Sequence, residues 1–233
     1  MMEFNKYYYR FLGVNDESVN DNVVVTECIY RDKPLNKRYF YPVIVSEYNE
    51  QKICSSSNRF IDICKSRFDG SIQSIEFILD DMRIEQPSYR LRKMRRYTLE
   101  STEEMLDTKA MIMTEEIVRS IQFKGDMDIE KFIERKKDVI KEGRQFIITQ
   151  ENTMAALALI SDIYERGCNI AVYTNEDYRK MGYGKEVVKG CINWCNERNL
   201  VPIYLVEEQN NASIKLAESL GFKLKSREWI ISK

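Results

Sequence analysis

The sequence predicts a mixed α+β and α/β chain. A larger domain over residues 103–233, built on a mixed sheet flanked by helices, follows a smaller α+β domain over residues 1–102. Three observations predict this. Helical periodicity alternates with β-branched and aromatic runs along most of the chain. One strand–turn–helix–strand stretch, 169–206, has the makeup of a right-handed crossover between parallel strands. A hydrophobic fraction of 43% and a charged fraction of 31% over 233 residues supply one or two cores and exclude a disordered chain.

In the first domain, "NVVVTECIY" and "YFYPVIVSEY" read as strands separated by "RDKPLNKR", and so as a hairpin whose connection carries Pro34. "SNRFIDICKSRF" has helical spacing behind an N-cap at Ser57 or Asn58, and Asp69-Gly70 stops it. "SIQSIEFILDDM" is a second helix, ended by Pro87. "YRLRKMRRYTLES" interleaves five basic residues with apolar ones, as a strand with one solvated face does. A loose boundary falls at 100–104.

Beyond it, Thr114 with Glu115 and Glu116 opens a short helix over 114–122, acids in its first turn as the helix dipole favours. Asp128 caps "IEKFIERKKDVIKEG", and Gly143 ends it. "RQFIITQ", "TMAALALISDIY" and "NIAVYT" are strands, the last two antiparallel through "ERGC". A helix over 185–199 turns Val187, Val188, Cys191, Ile192 and Cys195 inward, and "VPIYLVEE" is a strand covered on both faces. Asn210-Asn211 caps "ASIKLAESL", Gly221 closes it, and "FKLKSREWIIS" is the last strand.

Composition narrows the chemistry. The chain has no His, which removes the imidazole ligands of most catalytic zinc sites and every Ser-His or Cys-His triad. No metal site is expected. The six cysteines include no CxxC pair and read as reduced core thiols of a cytoplasmic protein. The opening "MMEFNKYYYR" is too polar for a signal peptide, and no apolar run approaches the ~20 residues of a membrane span. A formal net charge of −1 gives no global field toward nucleic acid or membrane, so neither is an expected partner.

The stretch "YRKMGYGKE" (178–186) carries the strongest site signal. It lies before a helix N-terminus, at the C-terminal end of the first crossover strand, where unpaired N–H groups and a positive dipole suit an anion. Gly182 and Gly184 permit close backbone approach, and Arg179, Lys180 and Lys185 add charge. The P-loop pattern GxxxxGK[ST] fails, because no Ser or Thr follows Lys185. The dinucleotide pattern GxGxxG fails at Val187. The pattern (R/Q)xxGx(G/A) fits through Arg179, Gly182 and Gly184.

Here the sequence resembles the GNAT acyltransferase superfamily over roughly 114–233. "AVYTNEDYRKMGYGKEVV" is similar to its cofactor-binding motif, and "NNASIKLAESLGF" to its second signature. The first domain matches neither. The resemblance implies a splayed sheet, with acetyl-CoA as co-substrate and its pantetheine on the backbone of Val172 and Thr174. It implies that the amides from Arg179 through Lys180, Met181, Gly182 and Tyr183 to Gly184 wrap the pyrophosphate. Asn211 and Ser213 would face the pantetheine or thiol end.

The implied activity is N-acyl transfer to an amine, a small molecule by default, with a homodimer allowed and the first domain shaping the acceptor site by position only. Amine attack on a thioester needs a proton removed, a carbonyl polarised and a leaving thiolate stabilised. Many relatives place a Tyr acid in the late helix; that position is Ala217 here. Tyr173, Tyr178 and Tyr204 as acids, and Asp162, Glu165, Glu207 and Glu208 as bases, stay unassigned. Ala217 also favours the alternative, a non-catalytic acyl-CoA-binding or regulatory module.

Overall fold

The computed structural model describes residues 4–14, 21–35, 39–99, 105–122 and 128–233. The expected boundary at 100–104 lies outside them. The chain divides into two compact units that interleave in sequence. One comprises Met1–Thr98, Leu205–Ile214 and Lys223–Lys233, the other Leu99–Tyr204 and Lys215–Phe222.

The first unit holds helix α1 (Phe4–Leu12) and strands β1 (Val23–Glu27), β2 (Val43–Tyr48) and β3 (Gln51–Ser56). Helices α2 (Ile61–Arg67) and α3 (Ile72–Glu85), strand β4 (Arg90–Thr98) and the last strand, β10 (Lys223–Ser232), complete it. The strand order is β1-β3-β2-β10-β4. The expected hairpin is corrected here: β1 does not pair with β2 but runs parallel to β3. The hairpin joins β2 to β3, through Asn49 and Glu50 at φ 48° and 64°. Two left-handed residues in a two-residue loop match the twist of the strands they join, and no glycine advertises them. The helix α1 also escaped the pattern reading, although Phe4, Tyr7, Tyr8, Phe11 and Leu12 form one buried stripe.

The α3 helix begins where Ser71 Oγ accepts the Ser74 N–H at 3.1 Å. Its inward residues Ile75, Ile78, Leu79 and Met82 pack with Val43, Val45, Phe60 and Ile231 into an apolar core. A second, polar core lies within the same unit. Arg96, 4% exposed, pairs with Glu228 at 2.5 and 3.2 Å. Glu228 also accepts from the Tyr8 hydroxyl at 2.5 Å. The basic stretch on β4 is therefore largely matched: Arg92 pairs with Glu207 at 2.7 Å and Arg95 with Glu208 at 3.1 Å.

In the second unit, β9 (Val201–Glu207), β8 (Gly167–Thr174), β7 (Thr153–Tyr164), β6 (Gln145–Gln150) and β5 (Met111–Ile112) neighbour one another in that order. Helices α4 (Glu115–Ser120) and α5 (Ile129–Lys141) cover one face, packing Val118, Phe132 and Ile133 on Ile147 and Leu157. Helix α6 (Tyr183–Glu197) covers the other, over Phe146, because neighbouring residues of a strand face opposite ways. Residues 106–109 are strapped along α6. Asn193 donates to Leu106 O and accepts from its N–H, both at 2.8 Å, and Glu186 accepts the Lys109 N–H at 2.9 Å.

Candidate functional site

The β7–β8 ladder runs unbroken in direction from Tyr164–Gly167 to Ala156–Thr174. On its other edge, β8 pairs in parallel with β9 only at Gly167, Cys168 and Asn169. From residue 170 to 174 that edge makes no ladder with β9, so its backbone groups are open. This is the splay expected of the strand, and Val172 and Thr174 both lie on the open length. Parallel pairing of β8 and β9 around α6 bears out the crossover.

The chain leaves β8 through Asn175, a buried side chain that no motif singled out. Its Oδ1 accepts the Asp177 N–H at 3.3 Å, its Nδ2 donates to Met154 O at 3.4 Å, and its N–H donates to Ala155 O at 3.0 Å. Asn ahead of Glu-Asp is the available signal, since Asn folds such turns on its own side chain. The turn thus hangs from β7. Two further residues bend it into α6: Lys180 at φ 65° and Gly182 at φ 85°. Lys180 in the left-handed region was not foreseen.

Each glycine serves a different end. A β-carbon on Gly182 would meet nothing within 4 Å, so the strain is conformational and the space beside it is open. A β-carbon on Gly184 would lie 3.0 Å from Thr174 Oγ1, so Gly184 lets the helix head sit against the open strand. The α6 cap, Gly182, offers no side-chain oxygen. The Tyr183 and Gly184 N–H groups meet no acceptor among the described residues, and Lys185 N–H turns back to Gly182 O at 2.9 Å. Arg179, Lys180, Met181 and Lys185 are exposed around these donors. Glu186, the acid of the first turn, is a carboxylate whose charge is matched by Lys189 at 2.7 Å. Burial pushes its carboxyl up, but Lys189 and the Lys109 N–H outweigh this and hold it below the usual range.

An anion with several oxygens fits this arrangement: free amides, a helix head, flanking cations and a cradle that a β-carbon would narrow. The remaining candidates each have their own neighbours. Asn210, not Asn211, caps α7 (Asn211–Ser219), its Oδ1 accepting the Ser213 N–H at 3.1 Å; Asn211 is exposed and Ser213 half-buried. Asp162 and Glu165 stand at the Gly167 end of β8, away from the turn, while Glu207 and Glu208 hold arginines. Tyr204 is buried beside Phe222, with 5.7 Å between ring centroids. Tyr178 lies 6.3 Å from Tyr183, and Tyr173 is exposed on the face opposite α6. Ala217 is fully buried, so its position faces packed side chains.

These features define a mixed α+β protein of the acyltransferase type, with a splayed strand ending in an anion-cradling turn. The family model described as GNAT acetyltransferase matches residues 7–231, and the chain belongs to that family. The match takes in the first domain as well, which the motifs alone had left unrecognised. Over 78 residues, 33% of this chain, it is 31% identical to the [ribosomal protein bS18]-alanine N-acetyltransferase of Escherichia coli strain K12. The chain spans about half the length of the curated relatives it matches, 53% for this one. Among solved structures, a GNAT-family acetyltransferase from Colwellia psychrerythraea aligns with a TM-score of 0.49 and 14% identity, covering 62% of this chain and 57% of that one. A ribosomal-protein-alanine N-acetyltransferase from Brucella melitensis aligns at 0.42 and 18%, covering 53% and 98%.

Proposed function

We propose that this chain is an acyl-CoA-dependent N-acyltransferase that takes acetyl-CoA as co-substrate and acylates a small-molecule amine in a ternary complex. One observation carries the reading: the strand edge left open by β9 leads directly into a turn with unpaired amides. The open groups of β8 at Val172 and Thr174 would hold an extended amide chain, as a neighbouring strand would. The amides from Lys180 to Gly184 would hold a pyrophosphate, with Arg179, whose own N–H donates to Glu176 O at 3.3 Å, Lys180 and Lys185 adding charge. Acetyl-CoA would supply the thioester carbonyl that the amine attacks. The strand's free N–H groups would then fix that carbonyl, and much of the acceleration comes from holding both reactants together.

A polypeptide amine is the second reading, favoured by the names of the matched relatives. A third, a non-catalytic acyl-CoA-binding module, is favoured by Ala217. Isothermal titration of acetyl-CoA into the chain and into Gly182→Asp tests the site. Binding is expected in the wild type and at least tenfold weaker, ~1.4 kcal/mol, in the variant, with the circular dichroism spectrum kept. Equal affinity in both proteins sinks the assignment. Thiol release across small amines and peptide N-termini then separates the three readings: release with small amines supports the first, with peptides alone the second, and binding without release the third.

A further inference from the structure

The strap formed by residues 106–109 is held by side chains spaced along one face of α6: Glu186, Lys189 and Asn193. Asn193 makes two bonds to the main chain of Leu106, and Lys189 Nζ donates to Asp107 O at 3.1 Å. Thr108 Oγ1 donates to Glu186 O at 2.7 Å, and the Lys109 N–H donates to Glu186 Oε2 at 2.9 Å. Lys189 Nζ also donates to Glu186 Oε1 at 2.7 Å. Both carboxylate oxygens of Glu186 are thus engaged on the strap side of the helix.

An acid in the first turn of a helix is drawn by the same dipole and free amides that draw a bound anion. Glu186 stands two positions after Gly184, which makes it a built-in competitor for the Tyr183 and Gly184 N–H groups. A carboxylate released from the strap would turn toward those donors and weaken their pull on a ligand. We infer that Glu186 is a positioning residue for the anion site. Docking of 106–109 holds its carboxylate aside, so strap docking and anion binding at the α6 head favour each other. Such coupling is reciprocal: the anion tightens the strap by the factor by which the strap tightens the anion. Its size is that of one charge at a helix end, roughly two- to fivefold. The inference rests on the reading of the α6 head as an anion site, with acetyl-CoA as one of the anions it takes.

The test titrates acetyl-CoA and, separately, inorganic pyrophosphate into three proteins. These are the full chain, its Thr108→Val/Asn193→Leu variant, and that variant with Glu186→Gln added. Thr108→Val and Asn193→Leu change no charge, and Asn193 lies about 10 Å along the helix from Glu186. A simple field effect therefore predicts no change in affinity. The Kd of either anion is expected to rise roughly two- to fivefold in the strap variant. Adding Glu186→Gln should return it to the wild-type value or below. In the wild type, saturating anion should slow hydrogen exchange of the Lys109 amide by the same factor. That measurement needs no variant and decides the matter if the strap variant does not fold. An unchanged Kd, a loss that Glu186→Gln does not relieve, or unchanged Lys109 exchange overturns the inference. Coupling with pyrophosphate in a chain that does not bind acetyl-CoA overturns the acyl-CoA reading and keeps the inference. Acetyl-CoA binding without coupling does the reverse, and binding of neither probe overturns both.

Discussion

At the scale of single residues, Glu228 gathers Arg96, Tyr8 and Ser226 into the polar core of the first unit. Burial pushes its carboxyl up, but the Arg96 charge and hydrogen bonds from Arg96, Tyr8 and Ser226 outweigh this, so it titrates below the usual range. A folded pKa below the unfolded value means stability present above the unfolded value, ~4.3, and lost as pH falls through the folded one. Melting scans should therefore show the wild type weakening below about pH 4. Glu228→Gln should cost about 3–5 kcal/mol at pH 7 and flatten that acid limb, because Arg96 is left buried without its counter-charge. An acid limb unchanged in the variant would move its origin to other carboxylates. None of this was legible in the sequence. Glu228 sits in "FKLKSREWIIS" as one charge of an alternating strand, and its partners are 132 and 220 residues away.

At the scale of elements, helix α6 shows what spacing can and cannot reveal. Its inner face and its place in a parallel crossover followed from periodicity and glycine alone, while its first turn begins at Tyr183, two residues ahead of the expected Lys185. Gly190 did not stand out, yet it is where the helix meets the sheet. A β-carbon there would fall 2.5 Å from Phe146 Cδ1 and 2.7 Å from its Cγ. Gly190→Ala should therefore lower stability by about 1–3 kcal/mol despite its better helix propensity, as overpacked cores do. Urea unfolding measures this, and a stabilised variant would show that Phe146 can turn aside. The misplaced hairpin has a similar cause. The β2–β3 turn uses Asn49 and Glu50, without the glycine that usually marks such a loop, so the Pro34 segment looked like the better connection. The anion-cradling turn was legible because its spacing excluded two other phosphate schemes; Asn175, which hangs it from β7, was not.

At the scale of the molecule, the two units are not consecutive pieces of chain. The first contains β10, which pairs with β2 from Val43 to Glu47 and with β4 from Arg90 to Thr98. A fragment ending at residue 98 lacks the strand between β2 and β4, and with it Glu228. It is expected to show neither cooperative unfolding nor dispersed amide resonances, and a dispersed spectrum from that fragment would refute this. Order of synthesis follows from the same interleaving. At ~5–20 residues per second, the 134 residues between Thr98 and Lys233 take roughly 7–27 s to be made. Through that interval β2 and β4 are each short of a neighbour, with unpaired strand edges and apolar faces that other chains can recruit. A newly made copy is thus exposed to mispairing throughout that interval, and a chaperone that covers strand edges during it would raise its yield more than one that acts once β10 has been made.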